Sequence, residues 1–279
     1  HPAGSHASSG PNSPGEEKLR ASGGLPAIHT VTLGAPLRWL GRAWGDLWKA
    51  PFACLAYGLM LAIASACLVT WMFASGGALP AVIVTCGFVF IAPLLAMGFY
   101  EAGRLLSLNR KPTLGDIFFV RSAFRSDIAY LGLALVFIFF IWGEIARIVY
   151  GLSTYRLHRT AEELIAFATG TPEGHGMLIS GSVIGAVIAY LTYCIVVVSI
   201  PMLLRRDSDF FVATVTSVRS VARNPGPMAL WALIIAALTA VSIGTAFVGL
   251  IITFPLLGLA SWHAYRDLVV SAPEGDTCR

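Results

Sequence analysis

Two ionisable side chains, Glu101 and His263, occupy equivalent positions near the ends of two similar apolar segments of the sequence. Burying such a side chain in a bilayer is costly unless it is paired or hydrated, so these residues are the first candidates for function. If both helices turn these side chains inward, they form a proton-responsive or metal-accepting pair. Alternatively, both lie in water at the level of the lipid headgroups, because Arg104 and Arg266 follow one helical turn later.

A second candidate pair, Glu144 and Arg147, lies three residues apart in another apolar segment. Residues at this spacing are neighbours on one face of a helix, so a salt bridge between them is predicted. The aromatic Tyr150 follows, as is typical of a membrane helix that reaches the outer interface. The pattern favours a charge pair that anchors the helix end over a substrate-binding role.

A metal-binding pattern of low specificity lies between two apolar segments. His158, Glu162 and His175 could supply ligands, but no fixed second pair accompanies them, and we expect no metal and no cofactor. The sequence also lacks a phosphate-binding loop, a dinucleotide fingerprint, a Ser/His/Asp arrangement and a zincin helix. We therefore expect a protein that is not an enzyme.

The composition indicates a membrane protein. Apolar residues make up 56% of the 279-residue chain and charged residues 12%, against about a quarter charged in ordinary soluble domains. The five cysteines lie singly, so no disulfide framework is predicted. We expect residues 1–30 to be a disordered N-terminal tail, residues 31–270 a transmembrane domain, and residues 271–279 a C-terminal tail.

Apolar stretches of membrane length supply the transmembrane helices, each near the ~20 residues that cross a bilayer. The last stretch, 227–265, is nearly twice too long for one crossing, so we divide it near residues 242–244. The six predicted spans are 51–74, 80–100, 128–149, 177–204, 227–243 and 246–265. Pro93, Pro201 and Pro255 lie within spans, where they either shape the bundle or act as flexing points.

The basic residues predict the orientation of these spans. Sixteen of the 19 Lys and Arg residues precede the first span, follow the last, or lie between spans two and three or four and five. The opposite side carries Arg147, Arg156 and Arg159. Because basic loops stay in the cytoplasm, both termini are predicted to be cytoplasmic.

Internal repetition predicts how the spans are grouped. The run Pro-Leu-Leu begins at Pro93 and again at Pro255, and segments 120–126 and 218–224 share four of seven residues. Segment 36–49 is amphipathic, with Leu37, Leu40, Trp44, Leu47 and Trp48 on one helical face and Arg38, Arg42, Asp46 and Lys49 elsewhere. The predicted fold is all-α, with three parallel helical hairpins that each follow an interfacial amphipathic helix on the cytoplasmic side.

Two local patterns complete the predicted structure. Thr160 and Glu163 form a capping box before an apolar run, which predicts a short helix on the outer surface. Gly181, Gly185 and Ala189 form a stripe of small residues on the fourth span, which permits close helix packing within the chain or between two copies.

The sequence from Phe254 to Arg266, with Asn224-Pro225 before it, resembles the bacterial predicted integral membrane proteins grouped as domain of unknown function 2189. The resemblance extends from about residue 30 to the end, although Leu259-Ala260 replaces a Gly-His that is common in the family. It implies a multi-pass protein of the bacterial inner membrane. It implies no activity.

Two functions are compatible with these sequence features. The first is a non-enzymatic accessory, assembly or lipid-interacting scaffold, whose partners are membrane lipids and either another membrane protein or a second copy of the chain. The alternative is a small-solute or ion transporter or channel that uses the axis between the three units. Nucleic acid is not expected, because topology and anionic lipid account for the basic loops.

Overall fold

The computed structural model describes residues 25–120, 126–205 and 209–269, and within these ranges the chain forms twelve helices. In chain order they are α1 (Ala35–Lys49), α2 (Pro51–Gly76), α3 (Ala78–Leu95), α4 (Met97–Ser107), α5 (Leu114–Phe118), α6 (Ser126–Ser153), α7 (Ala161–Gly170), α8 (Pro172–Val196), α9 (Ser199–Arg205), α10 (Phe210–Arg223), α11 (Pro225–Gly244) and α12 (Leu250–Leu268). The described part of the chain is therefore all-helical.

Proline and threonine set the start of many of these helices. Proline stands in the first turn of α1, α2, α8 and α11, where the missing N–H breaks no intrahelical hydrogen bond. Thr160 and Glu163 form the predicted capping box at the start of α7. Thr171 caps α8 by accepting a hydrogen bond from the backbone N–H of Gly174.

Five helical segments in the described ranges are long and apolar enough to cross a membrane: Pro51–Ser75, Ala78–Ser107, Ser126–Ser153, Pro172–Arg205 and Pro225–Gly244. They correspond to the first five predicted spans. In the most apolar 18-residue stretch of each segment, between 17% and 33% is buried. Most of the surface of these segments is therefore free to contact lipid.

The sixth predicted span corresponds to α12, which differs from the other five. Its C-terminal part carries His263, Arg266 and Asp267, and α12 is not among the helices apolar enough to count as spans. It is instead the most enclosed long helix, and it packs against α1, α2 and α4. The last apolar stretch is divided into two helices near the predicted position, because α11 ends at Gly244 and α12 begins at Leu250.

Two of the spans are broken near their prolines. The second span is interrupted at Ala96, three residues after Pro93, and the fourth is interrupted at residues 197–198, just before Pro201. Pro201 has no N–H to donate to the carbonyl of Val197, so the helix cannot continue regularly through this point. Pro255 lies inside α12 without such a break.

Helix α1 lies against the interior with one face and leaves another uncovered. Trp39, Ala43 and Leu47 are buried, and the Trp39 ring packs edge-on against Trp231 of α11 at 5.7 Å. Trp44 and Trp48 are 47% and 56% exposed. The helix therefore joins the core while presenting large apolar side chains to its surroundings.

The end of the predicted N-terminal tail is hydrogen-bonded to the helical domain. The backbone N–H of His29 donates to the carbonyl of Leu268, and the N–H of Val31 donates to the side-chain oxygen of Asn224. Asn224 also donates from its amide to the carbonyl of His29. Residues 28–31 thus tie α10 to the end of α12.

Helix α10 occupies the place predicted for the segment before the fifth span. Its buried face includes Ala213, Thr216 and Ser220, while Phe211 is exposed. The corresponding middle segment, 120–126, lies mostly outside the described residues, as do the first 24 residues and the C-terminal tail.

Candidate functional site

The contact between α1 and α12 assembles the main cluster of charged residues. Trp39, Ala43 and Asp46 recur at helical spacing on the buried face of α1. On α12, His263 and Asp267 are four residues apart and lie on one side of that helix. Trp39 meets Asp267 and Asp46 meets His263, so the two helices run in opposite directions.

Asp46 and His263 form a buried pair. The Nε2 atom of His263 lies 2.9 Å from Oδ2 of Asp46, and each residue is 8% exposed. Lys49 donates a 2.6 Å hydrogen bond to the other carboxylate oxygen. Burial raises the pKa of Asp46, but the hydrogen bonds from His263 and Lys49 outweigh it, and the pKa lies below its ordinary value.

Asp267 forms a second cluster one turn further along α12. The indole Nε1 of Trp39 donates to Asp267 at 2.8 Å, and Arg42 donates to both carboxylate oxygens. Burial opposes ionisation here too, yet the hydrogen bonds from Arg42 and Trp39 hold the pKa of Asp267 below its ordinary value. Both carboxylates are therefore ionised at neutral pH.

A polar cavity of about 400 Å³ opens beside these pairs. It lies between α1, α4 and α12, and its lining consists of Gly41, Arg42, Gly45, Asp46, Lys49, Leu106, Ser107, His263 and Arg266. A Cβ atom added at Gly41 or Gly45 would meet no atom within 4 Å. These two glycines therefore border open space and leave the cavity wide on the α1 side.

The predicted pairing of Glu101 with His263 is wrong, because each of the two residues pairs with a different partner. Glu101 bonds to Arg104 within α4, at 2.5 and 2.8 Å, and His263 bonds to Asp46. The sequence pattern does not indicate Asp46, because the predicted apolar face of α1 has Leu37, Leu40, Trp44, Leu47 and Trp48 on it and Asp46 elsewhere, whereas Asp46 is buried in the structure. The signal was present, since Asp46 follows the buried positions Trp39 and Ala43 at i+7 and i+3.

A second cavity, of about 430 Å³, is apolar and lies between α3, α6, α7 and α8. Phe90, Trp142, Gly181, Gly185 and Ala189 are among its lining residues. A Cβ atom at Gly185 would lie 3.0 Å from the Trp142 ring. The small-residue stripe therefore serves close packing within the chain, and it also shapes this cavity.

The apolar cavity and the helices around it lie almost wholly within residues 81–205. This segment matches the family of predicted integral membrane proteins called domain of unknown function 2189. The match confirms the resemblance over α3 to α9, although the Phe254–Arg266 sequence that suggested it lies outside the matched residues. No curated protein and no solved structure matches the chain.

Within the family segment, Glu144 and Arg147 form the predicted salt bridge. Nη1 of Arg147 lies 3.2 Å from Oε1 of Glu144, and both side chains are about two-thirds exposed. Glu101 and Arg104 also lie in this segment, whereas Asp46, His263 and Arg266 lie outside it. The family match therefore covers the apolar cavity but not the α1–α12 cluster.

His158, which precedes α7, and His175, in the first turn of α8, make hydrogen bonds within the chain. Nδ1 of His158 lies 2.7 Å from the Tyr150 hydroxyl, and its ring stacks on Phe167 at 4.8 Å. Nε2 of His175 lies 2.9 Å from the carbonyl of Thr169. Within the described residues, His158, Glu162 and His175 do not meet as a metal-binding group.

Proposed function

We propose that this protein is a non-enzymatic component of the bacterial inner membrane that acts as an accessory, assembly or lipid-interacting scaffold. The observation that carries the proposal is the position of α12. Most of its side chains between Leu250 and Leu268 are buried in the interior, while the apolar helices around it leave most of their surface uncovered. Such a molecule is suited to contact lipids and other membrane proteins along its sides.

Close helix packing supports this proposal over transport. A Cβ atom at Gly103 would lie 2.5 Å from Cδ1 of Trp262, and one at Gly258 would lie 2.6 Å from Cβ of Phe99. Large aromatic side chains therefore occupy the space where α12 meets α4. A transporter that used the axis between the three hairpins would need a hydrated polar path through this contact. The transporter or channel alternative is therefore the weaker one.

The proposed topology has six crossings, with α12 as the sixth, and both termini in the cytoplasm. Helix α2 packs against α3, α6 against α8, and α11 against α12, as three helical hairpins require. In this arrangement α12 crosses the membrane inside the bundle, so its polar end is shielded from lipid by other helices. Helices α1 and α10 would lie at the cytoplasmic interface, where the exposed Trp44, Trp48 and Phe211 enter the headgroup layer.

The apolar cavity gives the lipid interaction a location. It opens between helices that contact the hydrocarbon layer, and its lining is formed mainly by aliphatic and aromatic side chains. An apolar space at this depth is filled best by an acyl chain, because the surrounding solvent is itself acyl chains. We therefore propose that a membrane lipid inserts one chain between α3, α6 and α8.

The experiment that separates the two functions is a flux measurement. The purified protein is reconstituted into liposomes, and proton flux, monovalent-ion flux and osmotic swelling with small neutral solutes are followed. A scaffold is expected to leave every rate at the level of protein-free liposomes. A protein-dependent flux that rises with the amount of protein and saturates with solute would overturn the proposal.

A further inference from the structure

We propose that the polar cavity between α1, α4 and α12 is a binding site for a phosphate group, of the kind carried by anionic lipid headgroups. This proposal rests on the lipid-interacting function above and adds a second, chemically different contact to it. The acyl-chain cavity lies between α3, α6, α7 and α8, whereas the phosphate site lies at the α1–α12 cluster.

The charge of the cavity favours an anion. Arg42, Lys49 and Arg266 line it as cations, and Asp46 is the lining carboxylate. Lys49 is paired with Asp46, and Arg42 is paired with Asp267. In the described part of the chain, Arg266 has no hydrogen-bond or ion-pair partner of its own. The three cations and the two carboxylates, Asp46 and Asp267, sum to a net charge of +1. Because Arg42 and Lys49 are paired with these carboxylates, the excess positive charge belongs to Arg266.

The space beside Arg266 remains open because two residues of α1 are glycines. Gly41 and Gly45 are one helical turn apart and both border the cavity. Glycine weakens a helix by about 1 kcal/mol relative to alanine, and no neighbouring atom would obstruct a side chain at either position. Packing therefore does not explain these glycines, whereas room for a ligand does.

The depth of the cavity matches a lipid headgroup. Lys49 stands two residues before Pro51, where the first candidate span begins, and Leu106 and Ser107 stand at the end of the second. Trp44 and Trp48 are exposed on the same helix as Lys49, and tryptophan is enriched at the headgroup level. The cavity thus lies where two spans leave the hydrocarbon layer.

The buried pair of Asp46 and His263 positions Lys49 at the edge of the polar cavity. Asp46 is held by His263 through one carboxylate oxygen and holds Lys49 through the other. Asp46 and His263 are therefore positioning residues, while Lys49 and Arg266 would contact the phosphate. Arginine at such a site binds phosphate oxygens through two parallel N–H donors.

The test measures lipid binding to the full-length protein in a neutral detergent. Phosphatidylglycerol and phosphatidylcholine are titrated separately, and the rise in melting temperature gives an apparent Kd for each. Arg266→Gln removes the positive charge of Arg266, and Gly45→Leu fills the open space beside it. Arg219→Gln and Gly151→Leu are the matched controls, since Arg219 is exposed on α10 and Gly151 also borders open space.

The wild-type protein is expected to bind phosphatidylglycerol more tightly than phosphatidylcholine. Arg266→Gln should weaken phosphatidylglycerol binding about tenfold, because it removes one charge-assisted hydrogen bond. Gly45→Leu should also weaken it, because the leucine side chain fills the space for the headgroup, while the two controls stay near wild type. Equal affinity for the two lipids, or equal weakening by Arg266→Gln and Arg219→Gln, would overturn the proposal.

A parallel titration with inorganic phosphate separates the two sources of the ligand. Weak binding of free phosphate with tighter binding of the lipid assigns the site to a headgroup. If free phosphate binds as tightly and with the same dependence on Arg266, the site serves a soluble phosphate-bearing anion. Solute flux in liposomes with an intact lipid preference would reject the scaffold function but leave this site standing.

Discussion

Asp46 on α1 and His263 on α12 are separated by 217 positions in the chain, yet their side chains meet at 2.9 Å in a buried contact. This contact fastens the helix that precedes the first span to the end of the last helix. Together with the Trp39–Asp267 hydrogen bond, it fixes the relative position of the two helices. The pair is therefore expected to stabilise the fold as well as to position Lys49.

The first prediction concerns the energy of this pair. Asp46→Ala should lower the free energy of unfolding by about 1–3 kcal/mol, because it leaves a buried imidazole nitrogen without its partner. His263→Ala should act similarly, and the double variant should lose less than the sum of the two. Thermal unfolding in detergent supplies the measurement. The exposed Glu144–Arg147 pair is the control, with an expected coupling below about 1 kcal/mol.

The second prediction concerns acid stability. The pKa values of Asp46 and Asp267 are lower in the folded protein than in the unfolded chain. Such carboxylates contribute stability above their unfolded pKa, about 4, and this contribution is lost as the pH falls through their lower folded pKa. The double variant Asp46→Asn/Asp267→Asn should melt below wild type at pH 7 and approach it as the pH falls below 4. A constant difference between the two melting curves over this range would contradict the assignment.

The third prediction tests the packed interior. Gly103→Ala places a methyl group 2.5 Å from the Trp262 ring, and overpacking of this kind costs about 1–3 kcal/mol. Gly132→Ala is the control, because its nearest neighbour, a Leu94 methyl group, would lie at 3.7 Å. Alanine is the better helix former, so Gly132→Ala should leave the melting temperature unchanged or raise it. Equal effects of the two changes would mean that α4 and α12 are loosely packed.

The fourth prediction concerns topology. In a cysteine-free background, single cysteines at Tyr155 and Ala246 should react with a membrane-impermeant maleimide in intact cells, and those at Lys111 and Arg219 only after permeabilisation. All four positions are exposed. Labelling of position 246 from outside is the decisive result for six crossings, since it places the α11–α12 turn across the membrane from Arg219. Reaction at 246 only after permeabilisation would limit the protein to fewer crossings.

Hydropathy and helix signals predicted most of the fold because they depend on local sequence. The five apolar spans, the α11–α12 division and the Thr160 capping box all follow from residues within one segment. The role of α12 was harder to predict, because a helix that other helices enclose need not be apolar throughout its length. His263 and Arg266 reduce its hydropathy, and the fold places them against α1 and the polar cavity.

The candidate site was only partly predictable for a related reason. The sequence identified His263 and Arg266, but the repeat alignment suggested Glu101 as the partner of His263. In the structure Glu101 pairs with Arg104, a cation three residues away on the same helix, and His263 pairs with Asp46, which is distant in the chain. The register between α1 and α12 decides this outcome, and the amphipathic pattern of one helix cannot specify its register against a helix about 200 residues away in the chain.

The most direct test of the lipid-interacting scaffold is the lipid content of the purified protein. Native mass spectrometry of protein extracted from its own membranes should show retained lipid in the wild type. Ala186→Phe should reduce it by filling the apolar cavity, whereas Val187→Phe, on the exposed side of α8, should not. Wild-type protein that carries no lipid, or equal lipid retention in all three proteins, would contradict the account.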